Sequence, residues 1–245
     1  MNWLSFLGLG KKTAGPEFPV EFDQGDKHIV GYVLAKHLSM TSRERLYATA
    51  MACRHVVTAG VEGDFVECGV WRGGHGLIAA DIFKRAGSDA QIHLFDTFAG
   101  MTAPSQYDFD NREHERAQER YDRERRAGHN EWCNASLEDV RNNFRQTGLL
   151  GGNVKMIRGD VLETLSREEN LPEAISVLRL DTDWYQSTRK ELEVLWPRLR
   201  PGGILMIDDY GHWSGAKKAT DEFFASRPRP FFHYIDYTGR LAVKA

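Results

Sequence analysis

The sequence predicts an α/β fold of the doubly wound, Rossmann-like class, with a mostly parallel sheet between two layers of helices. Short and nearly continuous apolar runs alternate with amphipathic stretches of helical spacing, a pattern typical of strands that are buried on both faces. The chain has 245 residues, which is enough for one domain of this kind and short for two. Its 35 acidic and 32 basic residues nearly balance, so composition gives no reason to expect a nucleic-acid partner.

Residues 1–60 are predicted to form an N-terminal arm and two helices that pack on the same domain. The apolar stretch at residues 1–10 is too short to span a bilayer, and two lysines follow it where a signal peptide would have its cleavage site. Apolar residues then recur at helical spacing from residue 26 to about residue 60. The pattern breaks near residues 39–42, which separates the two helices.

Three cysteines, Cys53, Cys68 and Cys133, are far apart in the chain and form no CxxC pair. This spacing fits a reducing compartment better than a disulfide framework or a structural zinc site. We therefore expect a cytoplasmic protein with a small-molecule partner and no membrane contact.

Five apolar runs are predicted as parallel strands, and a hairpin closes the sheet after them. The predicted parallel strands are residues 65–68, 92–95, 154–157, 175–180 and 204–207. The helical stretches between and after them are residues 75–85, 137–144, 187–199 and 216–224. Two further runs, residues 231–235 and 241–243, are joined by a short loop that contains Gly239. They are predicted to add an antiparallel hairpin and to complete a seven-stranded sheet.

The end of the first predicted strand carries a cofactor signal. In open sheets of this kind, ligands bind beyond the carboxyl ends of the strands. Gly69, Gly73 and their neighbouring glycines form a tight turn into a helix whose N-terminus could approach a cofactor. Glu67 adds a carboxylate that suits the ammonium of an amino acid better than a pyrophosphate. The sequence therefore favours S-adenosylmethionine over NAD.

The second and third predicted strands also end in acids. Asp96, followed by Thr97, lies where a carboxylate can accept both ribose hydroxyls of either nucleotide. Asp160 could reach an adenine amino group, but it could equally cap the next helix. Arg72 could bind the methionine carboxylate, although a side chain lying along the surface is the simpler interpretation.

Two acids follow each of the fourth and fifth predicted strands, Asp181 with Asp183 and Asp208 with Asp209. Neighbouring strands lie about 4.8 Å apart, so these carboxylates can converge on one hard cation such as Mg²⁺. Four carboxylates at one place repel each other unless a cation compensates them. Helix capping explains one acid per strand but not two on both. If the backbone stays extended past the fourth strand, Asp181 and Asp183 share a face.

Several of these motifs resemble the macrocin O-methyltransferase family in order and spacing. The resemblance lies in Val66–Gly76, Leu94–Phe98, Val154–Asp160, Leu178–Thr188 and Pro201–Tyr210. It implies a class I methyltransferase domain over residues 61–245, a bound Mg²⁺ and transfer of a methyl group from S-adenosylmethionine to a sugar hydroxyl. It also suggests a homo-oligomer and a sugar-containing small-molecule acceptor.

Carried over to this sequence, the resemblance makes Asp181, Asp208 and Asp209 the metal ligands and Asp183 the general base. It also suggests that the loop at residues 40–42 closes over the methionine end of the cofactor. The residues that we expect at the cofactor are Met40, Thr41, Glu67, Gly69, Arg72, Gly73, Asp96, Thr97, Asp160 and Asp181.

Two histidines and one long connection complete the candidate site. His212 follows the metal acids and could orient or deprotonate a hydroxyl, or it could be a surface histidine without a role. His75 lies where the family pattern has a small hydroxyl residue. Residues 107–128 alternate acids and bases, so the connection at residues 103–135 could form a solvated helix, a lid over the cleft, or both.

Three alternative functions share part of this pattern. A metal-dependent catechol O-methyltransferase would hold two phenol oxygens as a sugar enzyme holds a diol. An NAD(P)-linked oxidoreductase shares the glycine turn and Asp96 but leaves the acids from Asp181 to Asp209 unexplained. A non-catalytic S-adenosylmethionine-binding subunit should have lost its metal acids, whereas all of them are present here.

Overall fold

A computed structural model describes residues 17–245, so the predicted arm at residues 1–10 lies outside the described residues. The helices are α1 (Gln24–Ala35), α2 (Arg43–Ala59), α3 (Gly74–Arg85), α4 (Ala117–Glu124), α5 (Leu137–Gln146), α6 (Val161–Thr164), α7 (Tyr185–Leu195) and α8 (Ser214–Ala225). The strands are β1 (Asp64–Cys68), β2 (Ile92–Asp96), β3 (Arg125–Arg126), β4 (His129–Asn130), β5 (Val154–Arg158), β6 (Ile175–Leu180), β7 (Leu199–Ile207), β8 (His233–Tyr234) and β9 (Arg240–Val243).

Seven strands form the main sheet, in the order β5-β2-β1-β6-β7-β9-β8. The first five are parallel, and β9 runs antiparallel to β7 and to β8. The predicted parallel sheet with a closing hairpin is therefore confirmed. The chain moves outward in one direction from β1 to β5 and in the other direction from β6, so the strand order reverses beside β1. In open α/β sheets, ligands bind at the carboxyl edge where this reversal occurs.

Helices cover both faces of the sheet, as the apolar strands require. On one face α1, α2, α3 and α5 bury a core that includes Val33, Cys53 and Phe144. On the other face α6, α7 and α8 bury a second core that includes Leu165, Leu192 and Phe224. No helix of residues 17–245 is long and apolar enough to cross a membrane.

The segment from residue 99 to residue 134, called the cover segment below, lies across the carboxyl edge of the sheet. It contains α4 and the two-stranded β3–β4 ribbon, and most of its charged side chains are exposed. It is anchored by Trp132, whose ring lies 5.4 Å from Trp184 and 5.8 Å from Trp213. Both anchoring residues follow the strands that end in acids, so the cover segment is fixed directly above the candidate site.

Candidate active site

A cavity of about 400 Å³ opens at the carboxyl edge of the sheet, beneath the cover segment. A smaller cavity of about 60 Å³ adjoins it and shares Gly69, Asp96, Met101 and Asp181 in its wall. The larger cavity is lined by Met40, Thr41, Arg45, Gly69, Trp71, Asp96, Gly100, Met101, Arg120, Trp132, Cys133, Asp181, Asp183, Asp208, Asp209, His212, Trp213, Tyr237 and Thr238.

Gly69 lies directly after β1 and close to the backbone of Asp181, which follows β6. Its φ is +84°, and a Cβ atom there would lie 2.0 Å from the carbonyl oxygen of Asp181. Only glycine fits this backbone and leaves the space above it open. Gly73 begins α3 at φ +88°, but it packs against Val140 and Phe144 and does not line either cavity.

Asp96 is held by the backbone of two turns and lines both cavities. Its Oδ2 accepts hydrogen bonds from the N–H groups of Val70 (2.7 Å) and Trp71 (3.0 Å), and its Oδ1 accepts one from Phe98 (2.7 Å). Burial raises the pKa of Asp96, and these three bonds oppose the rise. The carboxylate thus fixes the glycine turn after β1, and only its remaining lone pairs are free for a ligand. Thr97 donates to the carbonyl of Gly100 (2.6 Å).

Asp160 lines the smaller cavity and also caps a helix. Its Oδ1 accepts a hydrogen bond of 2.9 Å from the N–H of Leu162 at the start of α6, so the capping interpretation is confirmed. Arg72 is directed away from both cavities. Its Nε donates to Asp139 (3.1 Å) and its Nη1 donates to the carbonyl of His37 (3.1 Å), as the surface interpretation predicted.

One buried arginine that we did not single out from the sequence joins the candidate cofactor acid to the candidate metal acids. Arg179 is 1% exposed and donates through Nη1 to Glu67 Oε1 (3.0 Å) and Asp181 Oδ2 (2.8 Å), and through Nη2 to Asp208. Register explains the first contact, since Glu67 and Arg179 are direct partners in the β1–β6 ladder. Glu67 therefore lies beneath the cavity rather than in its lining.

The charge on Glu67 is only partly compensated. Burial raises its pKa to about 8, although Arg179 lowers it. Its second oxygen, Oε2, is buried and has no hydrogen-bond partner among residues 17–245. A buried carboxylate oxygen without a partner is costly, so this atom is a natural acceptor for a cationic ligand group.

A sequence signal for Arg179 did exist. It is the single charged residue in the run Ile175–Leu180, and arginine is almost never fully buried without a partner. The acids that we expected to need a compensating cation are thus partly compensated by the guanidinium group of Arg179. Arg45 adds a second, since its guanidinium contacts Asp208 through Nη1 and Asp236 through Nε (3.0 Å).

Asp181, Asp208 and Asp209 are brought together at the ends of β6 and β7. Each offers a carboxylate oxygen, and these oxygens all lie within 4.8 Å of one another. Burial and the neighbouring carboxylates raise the pKa of Asp181 and of Asp209 well above the usual range. Asp209 Oδ2 is buried and has no hydrogen-bond partner among the described residues.

This donor set fits a hard divalent cation. All of its atoms are carboxylate oxygens, which Mg²⁺, Mn²⁺ and Ca²⁺ prefer. With Glu67 and Asp183 the cluster has five carboxylates, against the two guanidinium groups of Arg45 and Arg179. The carboxyl groups therefore outnumber the described guanidinium groups, and their raised pKa values show that charging all of them together is costly unless a further cation is bound.

Asp183 departs from the extended backbone that we expected. Its φ is +69°, and the N–H of Trp184 donates to the carbonyl of Thr182 (2.8 Å), so the chain turns sharply there. The expectation that Asp181 and Asp183 share a face of an extended segment is wrong, because the backbone is not extended at Asp183. The turn allows Trp184 to pack against Trp132 and Trp213. Burial raises the pKa of Asp183 to about 7, and an interaction with the neighbouring Asp209 carboxyl group opposes the rise.

Helix capping does not explain Asp183. The first N–H of α7, on Tyr185, donates instead to Asp108 Oδ1 of the cover segment (2.8 Å). Strained left-handed conformations of non-glycine residues concentrate at functional sites. Asp183 is thus free to face the larger cavity.

His212 lines the same cavity and has two polar neighbours. Its Nδ1 lies 3.2 Å from the hydroxyl of Tyr237, and its Nε2 lies 3.7 Å from Asp110 Oδ2. Burial lowers the pKa of His212, which favours the neutral imidazole that a base or an orienting group requires.

His75 connects α2, α3 and the loop at residues 39–42. The imidazole is 3% exposed, with Nδ1 2.7 Å from Thr49 Oγ1 and Nε2 3.1 Å from Thr41 Oγ1. Burial lowers its pKa well below the usual range, so it is neutral at physiological pH. Thr41 and the more exposed Met40 line the larger cavity, and His75 therefore anchors the loop that carries them.

Other lining residues had no sequence signal that identified them in advance. Arg120 and Cys133 come from the cover segment, and Tyr237 and Thr238 come from the turn between β8 and β9. Their positions depend on how distant segments pack, which residue spacing alone does not specify.

The chain is similar to known proteins over almost all of its length. The model of the macrocin O-methyltransferase family matches residues 22–240. The 8-demethyl-8-(2,3-dimethoxy-alpha-L-rhamnosyl)-tetracenomycin-C 4′-O-methyltransferase of Streptomyces olivaceus is 36% identical over 174 residues, which are 70% of this chain and 62% of that protein. The mycinamicin III 3″-O-methyltransferase of Micromonospora griseorubida is 33% identical over 176 residues, which are 70% of this chain and 65% of that protein. The chain thus spans less than two thirds of the length of these two relatives.

Solved structures share the fold. The structure of the O-methyltransferase NovP has a TM-score of 0.74 and 26% sequence identity, and the match covers 90% of this chain and 96% of that one. The calicheamicin methyltransferase CalS11 has a TM-score of 0.59 at 17% identity, covering 94% of this chain and 98% of that one. The predicted class I methyltransferase fold is confirmed.

Proposed function

The chain belongs to the macrocin O-methyltransferase family, and from this premise we propose that it transfers a methyl group from S-adenosylmethionine to a sugar hydroxyl of a glycosylated small molecule. The printed names of two relatives, which describe methylation of a rhamnosyl tetracenomycin and of mycinamicin III, support a glycoside acceptor. The observation that carries the proposal is that one cavity combines Asp96 and Gly69 with Asp183 and the three clustered aspartates.

We assign the cofactor to the half of the site around β1 and β2. The smaller cavity between Asp96 and Asp160 suits an adenosine group, because a carboxylate at the end of β2 can accept ribose hydroxyls. The unpartnered Oε2 of Glu67 lies beneath this half of the site, where its negative charge favours a cationic group such as an ammonium in the cavity above it. Gly69 allows a ligand to approach the backbone closely, and Met40 and Thr41 line the opposite side.

Asp181, Asp208 and Asp209 would hold the divalent ion, with Mg²⁺ as the first candidate. The bound cofactor would supply an electrophilic methyl group, and the ion would lower the pKa of a coordinated hydroxyl. The donor atoms that support this assignment are close together and are all oxygens. Arg179 contacts and orients Asp181 and Asp208, and Arg45 also contacts Asp208.

We assign Asp183 as the general base, whose carboxylate receives the proton of the acceptor hydroxyl. An alcohol is a poor nucleophile at neutral pH, so a base at the cavity wall contributes directly to the rate. The left-handed turn at Asp183 holds the carboxylate apart from the strand axis that Asp181 follows. His212 is the second candidate for the base, since it lines the same cavity. The cover segment would exclude water from the reacting groups.

A metal-dependent catechol methyltransferase remains the second candidate function, because two neighbouring phenol oxygens present the same donor geometry as a sugar diol. The NAD(P) oxidoreductase has no comparable support, since it gives no role to the aspartate cluster. For the assembled protein, we propose a cytoplasmic homo-oligomer, as family membership suggests, and light scattering of the purified chain tests the oligomeric state.

The experiment that tests the proposed function incubates the protein with labelled S-adenosylmethionine, Mg²⁺ and a panel of glycosides, nucleotide sugars and catechols. We expect transfer to at least one sugar and none to the catechols. Chelation of the metal should abolish transfer while binding of S-adenosylhomocysteine persists. Transfer to catechols alone would overturn the sugar assignment, and full activity after exhaustive chelation would overturn the metal assignment.

A further inference from the structure

The larger cavity has two chemically different walls. The sheet edge contributes the aspartate cluster, whereas the cover segment and the turn between β8 and β9 contribute aromatic and basic side chains. Arg45 and Arg179, the guanidinium groups on the side of the sheet, are each paired with aspartates. The guanidinium group of Arg120, in the opposite wall, forms no ion pair within residues 17–245.

Arg120 is the basic side chain of the cover segment that lines the cavity. Its guanidinium carbon lies 4.2 Å from the centre of the Trp132 ring, which is 6% exposed and packed against Trp184 and Trp213. Within residues 17–245, Arg120 forms no ion pair and no side-chain hydrogen bond. It is therefore oriented by a fixed aromatic ring, with its N–H donors free.

Arg112 stacks on an aromatic ring in the same way, although it does not itself line the cavity. Its guanidinium carbon lies 3.3 Å from the centre of the Tyr237 ring, and Tyr237 lines the cavity. Arg112 also has no ion pair in the part of the chain that the structure describes.

We propose that the acceptor sugar is attached to an anionic group, a phosphate or a carboxylate, which Arg120 binds with the help of Arg112. This inference rests on the proposed function, because it names the class of acceptor for the same cavity. Guanidinium groups recognise phosphate and carboxylate through paired N–H donors. A neutral acceptor that fills the cavity would remove water from these donors without replacing their hydrogen bonds, which is unfavourable. The sugar hydroxyl would then face the aspartates, and the anion would face the cover segment.

The experiment uses four rhamnosides that differ in charge: methyl rhamnoside, 4-carbamoylphenyl rhamnoside, 4-carboxyphenyl rhamnoside and a nucleoside diphosphate rhamnose. The second and third have nearly the same shape and differ by one charge. We expect kcat/KM to be roughly tenfold or more higher for the carboxylate than for the amide, because hydrogen bonds to a charged group are the stronger ones. The nucleotide sugar distinguishes phosphate from carboxylate as the natural source of the charge.

Arg120→Gln should remove most of this preference through a higher KM, with kcat largely retained. Arg116→Gln is the matched control, since Arg116 also stacks on an aromatic ring, Phe109 at 5.1 Å, without lining the cavity. It should leave the preference unchanged. The KM for the carboxylate should also rise with ionic strength, while the KM for the amide should not.

Equal use of the amide and the carboxylate by the wild-type protein would overturn the inference and leave the proposed function intact. A loss of S-adenosylhomocysteine affinity in Arg120→Gln would also overturn it, because Arg120 would then bind the cofactor. If no rhamnoside is methylated, calorimetry of the carboxylate and the amide against the S-adenosylhomocysteine complex still decides the inference. Tighter binding of the carboxylate that depends on Arg120 supports it, and equal binding rejects it.

Discussion

The two halves of the sheet's carboxyl edge hold their carboxylates in different ways. At the end of β2, Asp96 accepts hydrogen bonds from three backbone N–H groups. At the ends of β6 and β7 the carboxylates crowd one another, contact two arginines, and leave Asp209 Oδ2 without a partner among the described residues. The first half is satisfied by the fold itself, whereas the second half needs further positive charge. Asp96 can therefore keep its position without a ligand, whereas the carboxylates after β6 and β7 can be charged together only beside a bound cation.

The largest effect should come from the acid that we assign as the base. Asp183→Asn should lower the rate by ~10²–10⁴-fold, as loss of a general base typically does, with nearly normal metal and cofactor binding. Asp181→Asn, the matched variant two residues away, should lose metal affinity, and excess Mg²⁺ should restore part of its activity. Titration of Mg²⁺ against both variants measures the difference. If Asp183→Asn recovers with added metal, Asp183 is a ligand and His212 becomes the better candidate for the base.

Arg179 tests the dependence of the crowded half on positive charge. Arg179→Met should destabilise the protein by about 3–5 kcal/mol, because it leaves buried carboxylates without their partner. Thermal unfolding of both proteins with and without Mg²⁺ measures the loss, and Mg²⁺ should stabilise the variant more than the wild type. Arg198→Met, which alters a surface pair with Glu168, is a control that should change little. A variant as stable as wild type would mean that the aspartates do not need Arg179.

Asp96→Ala tests the half that the backbone satisfies. It should weaken binding of S-adenosylhomocysteine by about tenfold or more, since it removes a charged acceptor for the ribose and frees three N–H groups of the turn. Asp160→Ala is the comparison, because its carboxylate caps α6. That change should cost about 1 kcal/mol of stability with little loss of affinity. Calorimetry that gives equal affinity for Asp96→Ala and the wild type would contradict the cofactor assignment.

The smallest effect should come from His75, which contacts the cofactor loop without lining the cavity. His75→Ser shortens the side chain and breaks at least one of its contacts to Thr41 and Thr49. A neutral hydrogen bond contributes about 0.5–1.5 kcal/mol, so we expect S-adenosylhomocysteine to bind a few-fold more weakly, with kcat nearly unchanged. His55→Ser, an exposed residue that contacts the carbonyl of Gly202, should not alter binding. Unchanged affinity in His75→Ser would show that the loop does not depend on this link.

The sequence was sufficient for the sheet because its signals are local. The run Ile175–Leu180 has the same bounds in the structure as in the prediction, since a strand buried on both faces is mostly apolar. The acids after β6 and β7 were also predictable, because the strand ends alone bring them to one edge. Their convergence depends on strand spacing, which is nearly the same in all sheets.

The remaining features depend on contacts between distant segments. The pairing of Arg179 with Glu67 follows from the register of β1 and β6, which spacing along the chain does not specify. The left-handed turn at Asp183 depends on how Trp184 packs. In residues 103–135 the charges are mostly exposed, as a solvated segment predicts, while Trp132 is buried. Whether this segment moves as a lid stays a prediction.

The hydrogen bond from the first N–H of α7 to Asp108 offers a way to measure how often the cover segment moves away from the site. Asp108 is itself fixed, because Ser105 donates to its Oδ2 through N–H (2.6 Å) and Oγ (2.7 Å). When the cover segment lifts, the amide hydrogen of Tyr185 loses its acceptor and becomes exchangeable with deuterated solvent. The deuterium uptake of this one amide therefore reports how often the cavity opens, and a bound acceptor analogue that holds the segment down should slow it.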